Sequence, residues 1–205
     1  MSSSKVSHVL RSLEELAQKE FVPSIGPIKG RIITDIIRKY KAKNILEIGT
    51  LYGYSAILMA AAAAAAVIPS SSSDGRVVTI ELDKSIADIA RKNIAAAELS
   101  DRINVRAGNA LEVISKLDLE FDLLFLDAAK NEYLKYLKLA EKKKSLKEGA
   151  IIVADNVEVS KNDMQDYLQY VRNSSGIYKS YTIETTLEFT PDIKDAIEVS
   201  IKIAA

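Results

Sequence analysis

Between residues 44 and 155 the chain alternates five short apolar runs with amphipathic or alanine-rich stretches, a rhythm that few folds accommodate. The runs are NILEI (44–48), RVVTIEL (76–82), RINVRA (102–107), FDLLFLD (121–127) and GAIIVAD (149–155). Their length and β-branched content read as strands, while stretches near 53–66, 84–97, 109–117, 130–144 and 161–173 read as helices. Apolar strands separated by helices predict a parallel sheet covered on both faces, the doubly wound α/β architecture. After residue 176 the rhythm breaks, because YKSYTIETTLEF and DAIEVSIKIA are two β-rich runs separated only by TPDIK or so. So short a connection cannot make a parallel crossover, and these two runs are expected to pair antiparallel at one edge. The expected sheet has seven strands, mostly parallel, with the last reversed.

Two helical patterns precede the sheet: Val6, Leu10, Leu13 and Leu16, then Ile32, Ile33, Ile36 and Ile37. With 205 residues, 48% of them hydrophobic, the chain suits one well-buried domain over 1–205, its N-terminal helices in 1–43 and its sheet core in 44–205. The stretch MAAAAAAAVIPSSSSDG (59–75) reads as a long helix followed by a loose surface loop, since alanine extends a helix and Pro69 with the serines stops it. The 28 basic and 28 acidic side chains cancel, so no global field draws the chain to nucleic acid or an anionic membrane. The absence of cysteine excludes disulfides and thiolate metal sites, and fits a reducing compartment. The N-terminus lacks a signal-peptide core, and the longest apolar run, 56–68, falls short of the roughly 18 residues needed to span a bilayer. A soluble, cytoplasmic protein with no membrane partner is expected, as a homodimer.

Ligands of open parallel sheets bind beyond the carboxyl ends of the strands, so the residues ending each run are the ones to inspect. Gly49 and Gly53 in EIGTLYGYS permit a tight strand-to-helix turn whose backbone amides can approach a ligand. Their G-x-x-x-G spacing is not the G-x-G-x-x-G dinucleotide fingerprint, and Glu47 would repel a pyrophosphate while welcoming a cation. Glu81, ending the second run, can accept hydrogen bonds from a ribose diol. These features suit a nucleoside carrying an ammonium and a sulfonium, S-adenosylmethionine; an ordinary glycine turn beside solvated carboxylates is the alternative.

A second group comprises Asp127, Asp155 and Asn156. Adjacent strands lie about 4.8 Å apart, so if the fourth and fifth are neighbours their terminal side chains can reach one ion. Two carboxylates and an amide oxygen suit a hard cation such as Mg²⁺, whereas an Asx turn alone would also explain Asp155-Asn156. Zinc is not expected, because the single histidine, His8, lies in the first helix. Lys130 is placed early in a helix, where the dipole opposes a cation. Burial and a neighbouring dication would both favour its neutral amine, a base near neutral pH; one more exposed lysine is the bland reading.

In order and spacing, IKGRII (28–33), ILEIGTLYGYSA (45–56), VVTIELD (77–83), AGNA (107–110), FDLLFLDAAKNEY (121–133) and IIVADNV (151–157) resemble the cation-dependent O-methyltransferases that include the catechol and caffeoyl-CoA enzymes. The likeness covers roughly residues 20–203. It implies a Rossmann-like methyltransferase fold, S-adenosylmethionine and Mg²⁺ as cofactors, and roles for particular residues. Glu47, Gly49 and Ser55 match the cofactor turn, with Tyr54 beside them, and Ser55 and the backbone near Ile25 would hold the methionine carboxylate. Glu81, with Leu82 next to it, matches the ribose-binding acid, and Gly108, Asn109 and Ala110 match the adenine pocket. Asp127, Asp155 and Asn156 match the metal ligands, Asp127 also bordering the cofactor, and Lys130 matches the catalytic base. The chain departs from the catechol enzyme in having Ala128 and Ala129 in place of His-Trp, and Leu51 in place of an aromatic, so a less aromatic pocket is expected. Asn109 stands where many relatives have Asp, and Asp195-Ala196 where plant relatives have Asp-Gly.

The resemblance implies methyl transfer to a hydroxyl of a vicinal dihydroxy small molecule. A second possibility is a 5-hydroxyuridine base of tRNA, for which Lys138, Lys142, Lys143 and Lys144 could hold phosphate, although the neutral net charge does not favour nucleic acid. A third is a non-catalytic S-adenosylmethionine-binding module. The acceptor should be set by loops 21–28, 157–163 and 184–195.

Overall fold

A computed structural model of the chain describes residues 3–65, 75–173 and 176–203. Helices α1 (Ser3–Glu20) and α2 (Gly26–Tyr40) lead into the alternating series. It runs β1 (Asn44–Ile48), α3 (Tyr54–Ala65), β2 (Arg76–Glu81), α4 (Lys84–Ala96), β3 (Ile103–Ala107), α5 (Ala110–Lys116) and β4 (Phe121–Leu126). It continues with α6 (Tyr133–Lys142), β5 (Leu146–Ala154), α7 (Gln165–Asn173), β6 (Tyr178–Leu187) and β7 (Thr190–Lys202). The serine-rich loop expected after the alanine helix lies outside the described residues.

The seven strands form one sheet in the order β3-β2-β1-β4-β5-β7-β6. Strands β1 to β5 pair in parallel, and β7 runs antiparallel to both β5 and β6, as the alternation and the short final connection predict. Alternate residues of the central strands feed two cores. Ile45, Leu123, Phe125, Ile151 and Val153 face the side covered by α1 to α4, while Leu46, Ile48, Leu124, Leu126 and Ile152 face Tyr133, Leu137, Tyr167 and Val171 of α6 and α7. Burial on both faces is why these strands read as continuous apolar runs rather than alternating ones.

Three local features differ from the sequence reading. Lys130 opens a 3₁₀ turn, Lys130–Glu132, so the α-helix proper starts only at Tyr133 and the lysine escapes the first turn of its dipole. Strand β5 begins at Leu146, ahead of Gly149, with an irregular register between Phe121 and Leu123 absorbing the extra length. The final hairpin turns at Glu188-Phe189 rather than through TPDIK, which lies within β7, where Thr190 pairs with Leu187 and Lys194 with Thr186 across an irregular register; Phe189 takes a left-handed φ of 59°. Tight two-residue turns favour such a backbone, and this one leaves Glu188 at the tip of the hairpin.

Strand order reverses between β1 and β4, the switch point at which open α/β sheets leave a crevice. Gly49 sits there at φ 102°, and a Cβ added to it would lie 2.0 Å from the backbone oxygen of Asp127. Only glycine lets the end of β1 pass so close to the end of β4. Gly49→Ala is accordingly expected to cost more than about 2 kcal/mol of stability, from the left-handed backbone together with the collision. Urea denaturation would read this directly; an unchanged midpoint would contradict the close packing.

Candidate active site

The carboxyl ends of β1, β2 and β4 open onto a cavity of about 540 Å³. Ile25, Gly49, Tyr54, Ser55, Glu81, Leu82, Gly108, Asn109, Ala110 and Asp127 all line it, with Lys130 and Asn156. Local chemistry explains how each is held. Glu81 receives the backbone N–H of Leu51 on Oε2 at 2.8 Å and that of Asp83 on Oε1 at 3.1 Å, so the turn after β1 is tied to the tip of β2. Asn109 caps α5 by accepting from the N–H groups of Leu111 and Glu112. The Tyr54 hydroxyl donates to Glu14 of α1 at 2.6 Å, and Leu82 remains 73% exposed at the rim.

Glu47 lies behind this wall. It is fully buried, accepts a hydrogen bond from the hydroxyl of Ser55 and keeps its other oxygen, Oε2, without a hydrogen-bond partner. Burial, reinforced by the negative charges of Asp127 and Glu81, pushes its carboxyl up to about 8.

A second cavity of about 610 Å³ shares Val22, Pro23, Ser24, Asp127 and Asn156 with the first. Its other walls include Phe21, Asp155, Leu187, Glu188, Phe189 and Thr190. Asp127 and Asn156 therefore stand between two cavities, one bordered by the glycine turn and the other by the final hairpin. Lys130 Nζ lies 2.9 Å from Asp127 Oδ1 and donates to the hydroxyl of Tyr133 at 2.9 Å. Glu188 packs over Gly26, and its Oε2 is buried without a hydrogen-bond partner; burial raises its carboxyl.

A family model described as O-methyltransferase matches residues 1–173. The chain belongs to the O-methyltransferase family. It is 33% identical over 188 residues to catechol O-methyltransferase B of Danio rerio, covering 89% of this chain and 67% of that one. It is 38% identical over 138 residues to catechol O-methyltransferase of Niastella koreensis, covering 65% and 58%. The chain thus spans about three fifths to two thirds of the length of these relatives. The crystal structure of the O-methyltransferase from Bacillus cereus in complex with SAH superposes with a TM-score of 0.78 at 29% identity, covering 98% of this chain and 92% of the other. The family and the Rossmann-like fold implied by the motifs are thereby met.

For this O-methyltransferase the fit to a divalent cation can be examined on its own side chains. Among the described residues, no group of three or more histidine, aspartate or glutamate side chains converges as a metal site. The donor set is instead two carboxylates and an amide, Asp127, Asp155 and Asn156, all bordering the second cavity. Asn156 adopts a left-handed φ of 61° and commits Nδ2 to Asp195 at 3.1 Å, which leaves its amide oxygen as the free end. Three oxygen donors fit a hard cation.

Two residues of the site, Lys29 in IKGRII and Asp195 at the start of DAIEVSIKIA, were given no role from the sequence. Lys29, 1% exposed, places Nζ 2.7 Å from Asp155 Oδ1 and 2.6 Å from Asp195 Oδ2. Burial alone would favour its neutral form, but the two carboxylates outweigh it and hold the ammonium above its ordinary range, while burial and Asp127 raise Asp155. A signal existed: Lys29 lies four residues before Ile33 and seven before Ile36, on the apolar stripe of α2, where a cation requires a buried partner. Asp195 was visible as the residue opening the β-rich run DAIEVSIKIA, but nothing in that position pointed to its partners.

The Glu47 carboxyl sets a pH dependence. With its folded value near 8 against an ordinary 4.5, the folded state holds the extra proton, so stability is lost as pH rises from about 4.5 through 8. Glu47→Gln should therefore add little stability at pH 5 and progressively more towards pH 8, reaching on the order of a few kcal/mol and appearing as a growing rise in Tm. Thermal unfolding across pH measures the trend, and a constant difference would refute it.

Proposed function

We propose that the chain transfers the methyl group of S-adenosylmethionine to a hydroxyl of a vicinal dihydroxy small molecule in a reaction that depends on Mg²⁺ or a similar divalent cation. The observation that carries this reading is the shared wall: Asp127, Asn156 and Lys130 border the cavity lined by the predicted cofactor residues, and Asp127 and Asn156 also border the second. The first cavity would take the cofactor and the second the acceptor. Asp127, Asp155 and Asn156 would hold the cation. A cation held there would supply Lewis acidity that favours ionisation of the reacting hydroxyl. In its neutral form Lys130 Nζ would accept the hydroxyl proton, and its hydrogen bonds to Tyr133 and Asp127 fix where that nitrogen sits. The walls orient the two reactants and keep water from the transferring group.

The second cavity also bears on the acceptor. Among the described residues no lysine or arginine lines it, whereas Asp127, Asp155 and Glu188 do, together with Val22, Leu187 and Phe189. Such walls suit an uncharged, partly apolar molecule and oppose a polyanion, so the tRNA reading gains nothing here. Of the lysines proposed to hold phosphate, Lys138 is already engaged, lying 3.5 Å above the ring of Tyr170 and 3.6 Å from Glu141. A cytoplasmic homodimer remains part of the proposal on sequence grounds, and no helix among the described residues is long and apolar enough to cross a membrane.

Methylation of a panel of catechols and phenylpropanoids is expected to stop on addition of EDTA and to return with Mg²⁺. Lys130→Ala should lower kcat by about 10²-fold or more while S-adenosylmethionine still binds. Normal turnover in the chelated enzyme would refute the cation dependence, and cofactor binding without turnover on any acceptor would favour a non-catalytic module.

A further inference from the structure

We propose that Asp195 is a positioning residue of the cation centre, turning Asn156 so that its amide oxygen faces the cation, with Lys29 locking Asp195 and Asp155 in place. This rests on the cation-dependent reading above. Asp195 is buried and lines neither cavity, so contact with substrate or cofactor does not account for it. Its partners do. Oδ2 accepts from Asn156 Nδ2 at 3.1 Å and from Lys29 Nζ at 2.6 Å, and Oδ1 accepts from the backbone N–H groups of Glu158 and Val159, each at 3.2 Å.

All four partners are donors, and only a group with an acceptor at both ends satisfies them together. A carboxylate does this; an amide of the same shape must turn an NH₂ towards one pair. The backbone pair prevents the carboxylate from rotating, and the ammonium, itself bound to Asp155, prevents it from withdrawing. Asn156 has two chemically opposite ends on one rotatable bond. With Nδ2 spent on Asp195, the oxygen is the end left for a cation. Without Asp195 the amide can turn over and present its NH₂, which repels a cation and coordinates nothing. Partners that orient a ligand in this way commonly govern metal affinity as strongly as some ligands do.

The test measures metal binding rather than turnover. Mn²⁺ is titrated into the full chain and its free EPR signal followed, with S-adenosylmethionine affinity measured by calorimetry and folding checked by thermal unfolding. Asp195→Asn is expected to weaken Mn²⁺ binding about 10- to 100-fold with cofactor affinity unchanged. Combined with Asn156→Ala, it should cost much less than the sum of the two separate losses, because its main effect passes through that amide. A general structural defect would instead weaken cofactor binding too, and the two losses would add. Wild-type Mn²⁺ affinity in Asp195→Asn, or simple additivity in the double variant, overturns the proposal while leaving the cation-dependent reading intact. If the wild-type chain binds no Mn²⁺, that reading fails and this proposal falls with it. Should Asp195→Asn not fold, Asp195→Glu, which keeps the charge but shifts it by one methylene, carries the same comparison.

Discussion

A buried ammonium between two buried carboxylates holds the functional end of this molecule together. Lys29 comes from α2, Asp155 from the tip of β5 and Asp195 from β7, so three segments separated by more than a hundred residues at the extremes meet at one Nζ atom. Taking such charges out of water is costly, and the arrangement persists because each has its partner at short range. The cluster makes the N-terminal helices integral to the sheet rather than an appendage. Removing any one member would strand another in a medium that cannot solvate it. A similar pairing recurs at the neighbouring tip, where Lys130 faces Asp127, so each aspartate proposed to bind the cation already has a lysine beside it.

The sheet was legible in sequence because parallel strands buried on both faces write themselves as continuous apolar runs, and helices between them leave only one topology class. The strand tips were legible for the same reason: a carboxylate that ends an apolar run is visible against it, as Glu81, Asp127 and Asp155 are. Less was legible where one residue type serves two purposes. Glu47 looked like part of the ligand wall because it lies in the EIGTLYGYS motif, but its side chain is buried behind that wall and its contact is Ser55. The hairpin turn was displaced to Glu188-Phe189 because proline and aspartate in TPDIK are stronger turn formers than the residues that make the turn. Lys29 was readable only as an interruption of an isoleucine stripe, and Asp195 only once its four donors were in view.

The two cavities divide the labour of the chain. The first is built from βα turns, where backbone geometry dominates: Gly49 passes against Asp127, and Glu81 grips the turn through a backbone N–H. The second is built from side chains of a loop and a hairpin, where composition dominates. The turn residues of the first cavity and the strand-end residues Asp127 and Asn156 that the two cavities share fall within the sequence motifs, whereas Leu187, Glu188, Phe189 and Thr190 of the hairpin do not, so that wall was not read from the sequence.

The outer wall of the second cavity ends in a turn of two residues, and this has a consequence for how such a chain diversifies. Strands β6 and β7 are joined by backbone hydrogen bonds up to the pair Leu187 and Thr190, so Glu188 and Phe189 carry no pairing of their own. Phe189, exposed at the tip, can be exchanged without breaking a strand pair, whereas Glu188 is also fixed by its packing over Gly26. Small edits at this hairpin tip can thus reshape one wall of the cavity while Asp127, Asp155 and Asn156 stay anchored at the strand ends.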